Sequence, residues 1–137
     1  MRHKVPGVLL LAFGLLAMAL PALAHHAFSV EYDGTKCSNM TGTFTKLDWE
    51  NPHVYFYLDV KDASGHVTPW SFETVSIAYL KRSGIQRQDF LDNVGKAVTV
   101  RACLGKSGAN RGAAETLTMA DGRTLKIGAD YEHGGGN

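Results

Sequence analysis

The stretch His53-Val-Tyr-Phe-Tyr-Leu-Asp-Val60 decides the fold class. Val54, Phe56, Leu58 and Val60 alternate with His53, Tyr55, Tyr57 and Asp59. Period-two alternation of this kind is the mark of a half-buried strand. The aliphatic set is expected to face a core, and the His–Tyr–Tyr–Asp set to face outward. Upstream, Asp48 to Pro52 reads as a turn, and the threonines of Met40–Leu47 argue for a first strand. Downstream, Asp62-Ala-Ser-Gly65 is hairpin chemistry, and Val67–Thr74 returns as a third strand. Pro69 restricts part of that strand to an edge or a bulge, while Trp70 and Phe72 share an inward face.

Further along, Ser76–Arg82 reads as a short helix with Ser76 as N-cap and Gly84 as its stop. Gln86–Asn93 reads as a polar turn. Ala97–Cys103 is a fourth strand, Ala114–Met119 a fifth, and Thr124–Ile127 extends or pairs with the fifth. Three strands, a helix and two strands is the order of the OB-fold, a small five-stranded Greek-key barrel. An open sheet with one helix is the alternative. In the barrel, strand one pairs antiparallel with strand four, which brings Cys37 beside Cys103.

Outside this domain, spanning 40–128, the first 24 residues look like an export signal. Arg2, His3 and Lys4 give a positive start, Val8–Leu20 an apolar run, and Ala22-Leu-Ala24 a small-x-small cleavage site. The run is shorter than the ~20 residues a retained anchor needs. Cleavage removes two of the 14 basic residues, Arg2 and Lys4, and none of the 13 acidic ones. A domain so close to charge balance is a poor nucleic-acid binder, since phosphate binding needs a basic surface. The expectation is a periplasmic or secreted protein with no membrane span after processing. Residues 25–39 form an N-terminal segment of the mature chain, and 129–137 a Gly-rich disordered tail.

The chain has two cysteines, Cys37 and Cys103. An even count in an oxidising compartment favours a disulfide over a two-thiolate metal site, and no CxxC or CxxxC is present. Cleavage after Ala24 would make His25 the first residue, followed by His26. A terminal amine, its own ring Nδ1 and a second imidazole form a nitrogen-rich set suited to Cu(II). His53 is the best candidate for a further ligand, with Glu31 and Asp33 as carboxylates in reserve and His66 less favoured in its hairpin turn. The bland alternative is that His25 and His26 simply follow the cleavage site. In an OB-fold, moreover, the chain enters strand one at the end opposite His53, so a shared site requires residues 25–39 to fold back.

Tyr55 and Tyr57 could form a binding face for a peptide or glycan, as OB-folds use strands two and three. Alternatively Phe28 and Tyr32 cover them. Trp49 is either a lid on the barrel end or a ligand contact. Glu73 reads as a surface or ion-paired acid. No GxSxG, HExxH, paired-carboxylate, P-loop or dinucleotide pattern is present, so an enzyme is not expected. The readings that follow are a non-enzymatic copper-binding protein, or an interaction module using the tyrosine face.

The set His25-His-Ala-Phe-Ser29, Glu31-Tyr-Asp33, Trp49-x-Asn-Pro-His53, Trp70-x-Phe-Glu73 and Asp121-Gly-Arg123 resembles a domain-of-unknown-function family. Its members are short secreted proteins, mostly proteobacterial, with HHAFS-like and NPH signatures. The resemblance covers essentially the whole mature chain and carries no established activity. It implies that His25, His26, Phe28, Tyr32, Asp33, Asn51, Pro52 and His53 belong to one recurring pattern. Cys37 and Cys103 depart from that pattern, which implies a disulfide special to this branch rather than a family-wide thiolate site.

Overall fold

The computed structural model describes Phe28 and residues 30–129. The expected signal peptide (1–24), His25, His26 and all but the first residue of the expected tail lie outside the described residues. The chain divides into two compact units, residues 1–31 and 32–137. The second carries the sheet.

Its elements run β1 (Tyr32–Asp48), β2 (Tyr55–Lys61), β3 (Val67–Glu73), α1 (Ile77–Arg82), α2 (Arg87–Leu91), β4 (Ala97–Gly105), β5 (Arg111–Thr118) and β6 (Thr124–Lys126). The fold is mainly β, one six-stranded sheet in the order β3-β2-β1-β4-β5-β6. Neighbours in that order pair antiparallel; β3 also pairs in parallel with β5, Phe72 opposite Gly112. None of the described helices is long and apolar enough to cross a membrane.

The alternation in β2 works as its side chains dictate. Val54, Phe56 and Leu58 are fully buried, whereas His53 is exposed and Tyr55, Tyr57 and Asp59 are half-buried. Val60 is only partly covered, against the edge of the core. Phe44 from β1 and Phe72 from β3 stack on either side of Phe56, with ring centroids 5.5 and 5.3 Å away. Pro69 sits opposite Asp59 of β2, in a part of β3 that precedes the Ser71–Glu73 pairing with β5. No ladder bond from its nitrogen is needed there.

β1 begins at Tyr32, eight residues before the expected start at Met40. Asp33-Gly34, a dipeptide that ordinarily marks a turn, is absorbed by a register shift between Tyr32 and Cys37 in the pairing with β4. Thr35 donates its backbone N–H and its hydroxyl to Asp33 Oδ1, which satisfies the bulged segment locally. Beyond Cys37 the strand lies along β4 as far as Thr43, then turns onto β2. Gly42 makes this passage feasible, because a Cβ there would stand 2.7 Å from the Asp59 carbonyl oxygen.

α1 has the expected cap, with Ser76 Oγ accepting from the Tyr79 N–H at 3.3 Å. It ends at Gly84, whose φ of 76° is the left-handed conformation a helix stop requires. Ser76→Ala is expected to cost about 1 kcal/mol, read as a lower denaturation midpoint at unchanged m-value. Gln86–Asn93, expected to be a polar turn, instead contains α2. Asp89 Oδ2 accepts from the Gln86 N–H at 2.8 Å, and Phe90 is fully buried against Trp49, Phe44 and Phe56. Five residues are too few for a helical period to show, so one buried aromatic decides the segment. Asn93 then ties α2 to the β5–β6 turn, donating to the Asp89 carbonyl and accepting from the Ala120 N–H.

Candidate functional site

The β2–β3 hairpin pairs Lys61 with Val67 and, at its other end, Tyr55 with Glu73. Residues directly opposite share a face, so Glu73 joins the outward set that begins at His53. The carboxylate is engaged on both oxygens. Oε1 is bonded by His53 Nδ1, and Oε2 accepts the Tyr32 hydroxyl at 2.7 Å. Arg111, at the start of β5, lies over the Tyr32 ring at 5.3 Å. Burial, and then the bond to Glu73, push the Tyr32 phenol well above its ordinary range, so it stays a neutral donor.

This cluster corrects one geometric expectation. Tyr32 opens β1 and His53 follows the turn after β1, yet both meet at Glu73. The long strand is wrapped rather than straight, pairing with β4 through its first half and β2 through its second. The beginning of strand one is therefore not remote from His53.

Chemically, a carboxylate on Nδ1 fixes the imidazole tautomer, because the carboxylate can only accept. Nε2 is left with a lone pair, able to bind a metal ion. The His53 side chain is 47% exposed, whereas that of Glu73 is 16% exposed. The ring is thus oriented by a largely covered carboxylate while its own body faces solvent.

The other outward residues have different company. Tyr57 donates its hydroxyl to Asp48 Oδ2 at 2.9 Å, and Lys46 lies over its ring at 4.9 Å. Bonds from Lys46 and Tyr57 hold the Asp48 carboxyl below its usual range, and the bond to Asp48 raises the Tyr57 hydroxyl. Trp49 packs edge-on against Phe90 at 5.7 Å, on the rim of the core. Trp49 thus joins the core rim, while Tyr57 belongs to a surface ion cluster. His66 closes the β2–β3 turn, its backbone N–H bonded to Asp62. Asp33 is committed to Thr35 and to Lys36, 3.5 Å away.

Cys37 and Cys103 are joined by a disulfide, as expected, and face one another in the β1–β4 register. Glu115 of β5 stands beside them. A separate cleft of about 340 Å³ lies between α1 and β6, lined by Tyr79, Ser83, Ile85, Thr124, Leu125 and Lys126. None of the residues singled out from sequence lines it.

Glu73 is the ion-paired acid that its sequence allows, and Tyr32, expected to cover Tyr55 and Tyr57 or to share a pattern with His53, bonds that acid instead. Counting back from the Asp62–Gly65 turn would have placed Glu73 opposite Tyr55, and hence diagonal to His53. The Tyr32 contact had no such local signal. No curated protein and no solved structure matches this chain. A family match does exist, over residues 12–114 of 137. The chain belongs to the family of unknown function DUF6152.

Proposed function

We propose that this is a periplasmic, non-enzymatic binding protein that holds Cu(II) through the processed N-terminus. The ligands are the α-amine and ring of His25, the ring of His26, and Nε2 of His53. The observation that carries the reading is the Glu73 carboxylate on His53 Nδ1. Metal-bound histidines almost always give their other ring nitrogen to such a partner. Nitrogen donors and a tetragonal preference favour copper among the divalent ions.

The same reading takes the sheet as an OB-like barrel. Pairing runs from β1 to β2, β3, β5, β4 and back to β1, with β6 added on β5. A peptide- or glycan-binding tyrosine face is the second reading. It is the weaker one, because Asp48 and Lys46 already occupy the Tyr57 hydroxyl and ring.

Mass spectrometry of protein recovered from the envelope should find His25 as residue one. Cu(II) titration of that material should give one tight equivalent. A His25→Ala, His26→Ala variant should lose it, and Glu73→Gln should weaken it by about 10–100-fold, the usual cost of removing an outer partner. Affinity should fall as pH drops below the amine's ordinary ~7.7–8.0, since binding displaces its proton. Undiminished binding by the double variant would refute the copper reading.

A further inference from the structure

A carboxylate lies beside the disulfide, in a cluster separate from the copper site proposed above. Cys103 is fully buried and Glu115 only 6% exposed. Glu115 Oε1 is 3.7 Å from Cys103 Sγ, and its Oε2 is 3.1 Å from Arg101 Nε. The two sulfurs and a carboxylate oxygen lie within 4.8 Å of one another. We infer that reduction of the bridge turns this cluster into a site for a zinc-class d10 divalent cation, ligated by Cys37 Sγ, Cys103 Sγ and Glu115 Oε1.

Charge is the first argument. With Cys103 and Glu115 buried and Cys37 half-buried, two thiolates and a carboxylate would gather three negative charges largely away from water, which is costly unless they are compensated. Arg101 supplies one positive charge and a divalent ion two, so the occupied site is neutral. Spacing is the second. A tetrahedral ion with Zn–S of about 2.3 Å and Zn–O of about 2.0–2.2 Å sets sulfur and oxygen about 3.5 Å apart. The Cys103–Glu115 separation already has nearly that value. Arg101 on the far carboxylate oxygen does for Glu115 what an outer partner does for any ligand, fixing which oxygen faces the ion. Thiolates select a soft ion, which separates this site from the nitrogen-rich one.

The reductant is a dithiol. It passes two electrons and two protons to the S–S bond, leaving two cysteine thiols and becoming a disulfide itself. The incoming M²⁺ then releases both thiol protons. Cys37, half-buried beside the bulge that follows Tyr32, is the sulfur open to attack.

The purified protein, reduced and kept free of oxygen, is titrated with Cd(II). The expected result is one equivalent per chain with a sulfur-to-cadmium charge-transfer band in the near ultraviolet, displaced by Zn(II). The oxidised protein should show no band. Glu115→Gln should weaken binding at least about tenfold, on the scale of lost metal-site partners. The His25→Ala, His26→Ala variant should keep the band, which distinguishes this site from the copper site. A folded, reduced protein without the band, an ion shared by two chains, or a Glu115→Gln variant of unchanged affinity would each overturn the proposal. If reduction unfolds the sheet, one equivalent of Cd(II) should restore its far-ultraviolet spectrum, and failure to restore it counts equally against the site.

Discussion

Replacing Phe56 by alanine is expected to destabilise the domain by about 3–5 kcal/mol, the range for truncating a buried aromatic. Phe56 is fully buried in the middle of β2. Its ring stacks on Phe44 of β1 at 5.5 Å and on Phe72 of β3 at 5.3 Å, and stands 6.2 Å from Phe90 of α2. One side chain therefore links three strands and the second helix. The neighbouring rings come from separate elements, each held by its own pairing, so they can close only part of the space left behind. The cost then includes a cavity as well as lost burial. Guanidinium denaturation should show a lower midpoint at unchanged slope. Val94→Ala, at a side chain 47% exposed, should stay within about 0.5 kcal/mol of the parent. A loss below about 1 kcal/mol for Phe56→Ala would mean that the rings do not hold these elements together.

The contrast between Phe56 and Tyr32 shows what was legible in the sequence and what was not. Phe56 sits in a run whose alternation states its own burial, because strand periodicity is local. The hairpin after it, the α1 cap at Ser76 and the Cys37–Cys103 pairing were readable for the same reason, or because the pairing of strands one and four followed from element order. The first half of β1 was not. Tyr32–Asn39 is polar and carries a turn dipeptide, so its strand character comes from pairing with β4 across some seventy residues of chain. Phe90 and Trp49 also needed tertiary partners to find their places. The Tyr32–Glu73–His53 cluster lies between these cases. Its hairpin half follows from register counting, and its Tyr32 half depends on how β1 is wrapped.

That dependence leads to the second large effect. A Cys37→Ala, Cys103→Ala variant is expected to lose about 4 kcal/mol, the chain-entropy value for a bridge across a sequence separation of 66. Alanine is the apt replacement because Cys103 is fully buried, where a serine hydroxyl would need a partner. For a domain whose total stability falls within about 5–15 kcal/mol, the loss is a large share. The entropic account places the effect in the unfolded chain, yet the folded state should feel it as well. Between Tyr32 and Cys37 the β1–β4 register is broken, so the disulfide is the first firm tie after Tyr32. Without it, amide hydrogen exchange should quicken at Cys37–Asn39 more than at Thr43–Asp48, where β2 still holds the strand. The bond from Tyr32 to Glu73 should loosen with it, leaving His53 with a less firmly held carboxylate. Equal protection along the whole of β1 in the variant, with stability within about 1 kcal/mol of the parent, would contradict both halves of this argument. Faster exchange without a shift in the denaturation midpoint would contradict only the entropic half, and would leave the disulfide as a local clasp on the strand that carries Tyr32.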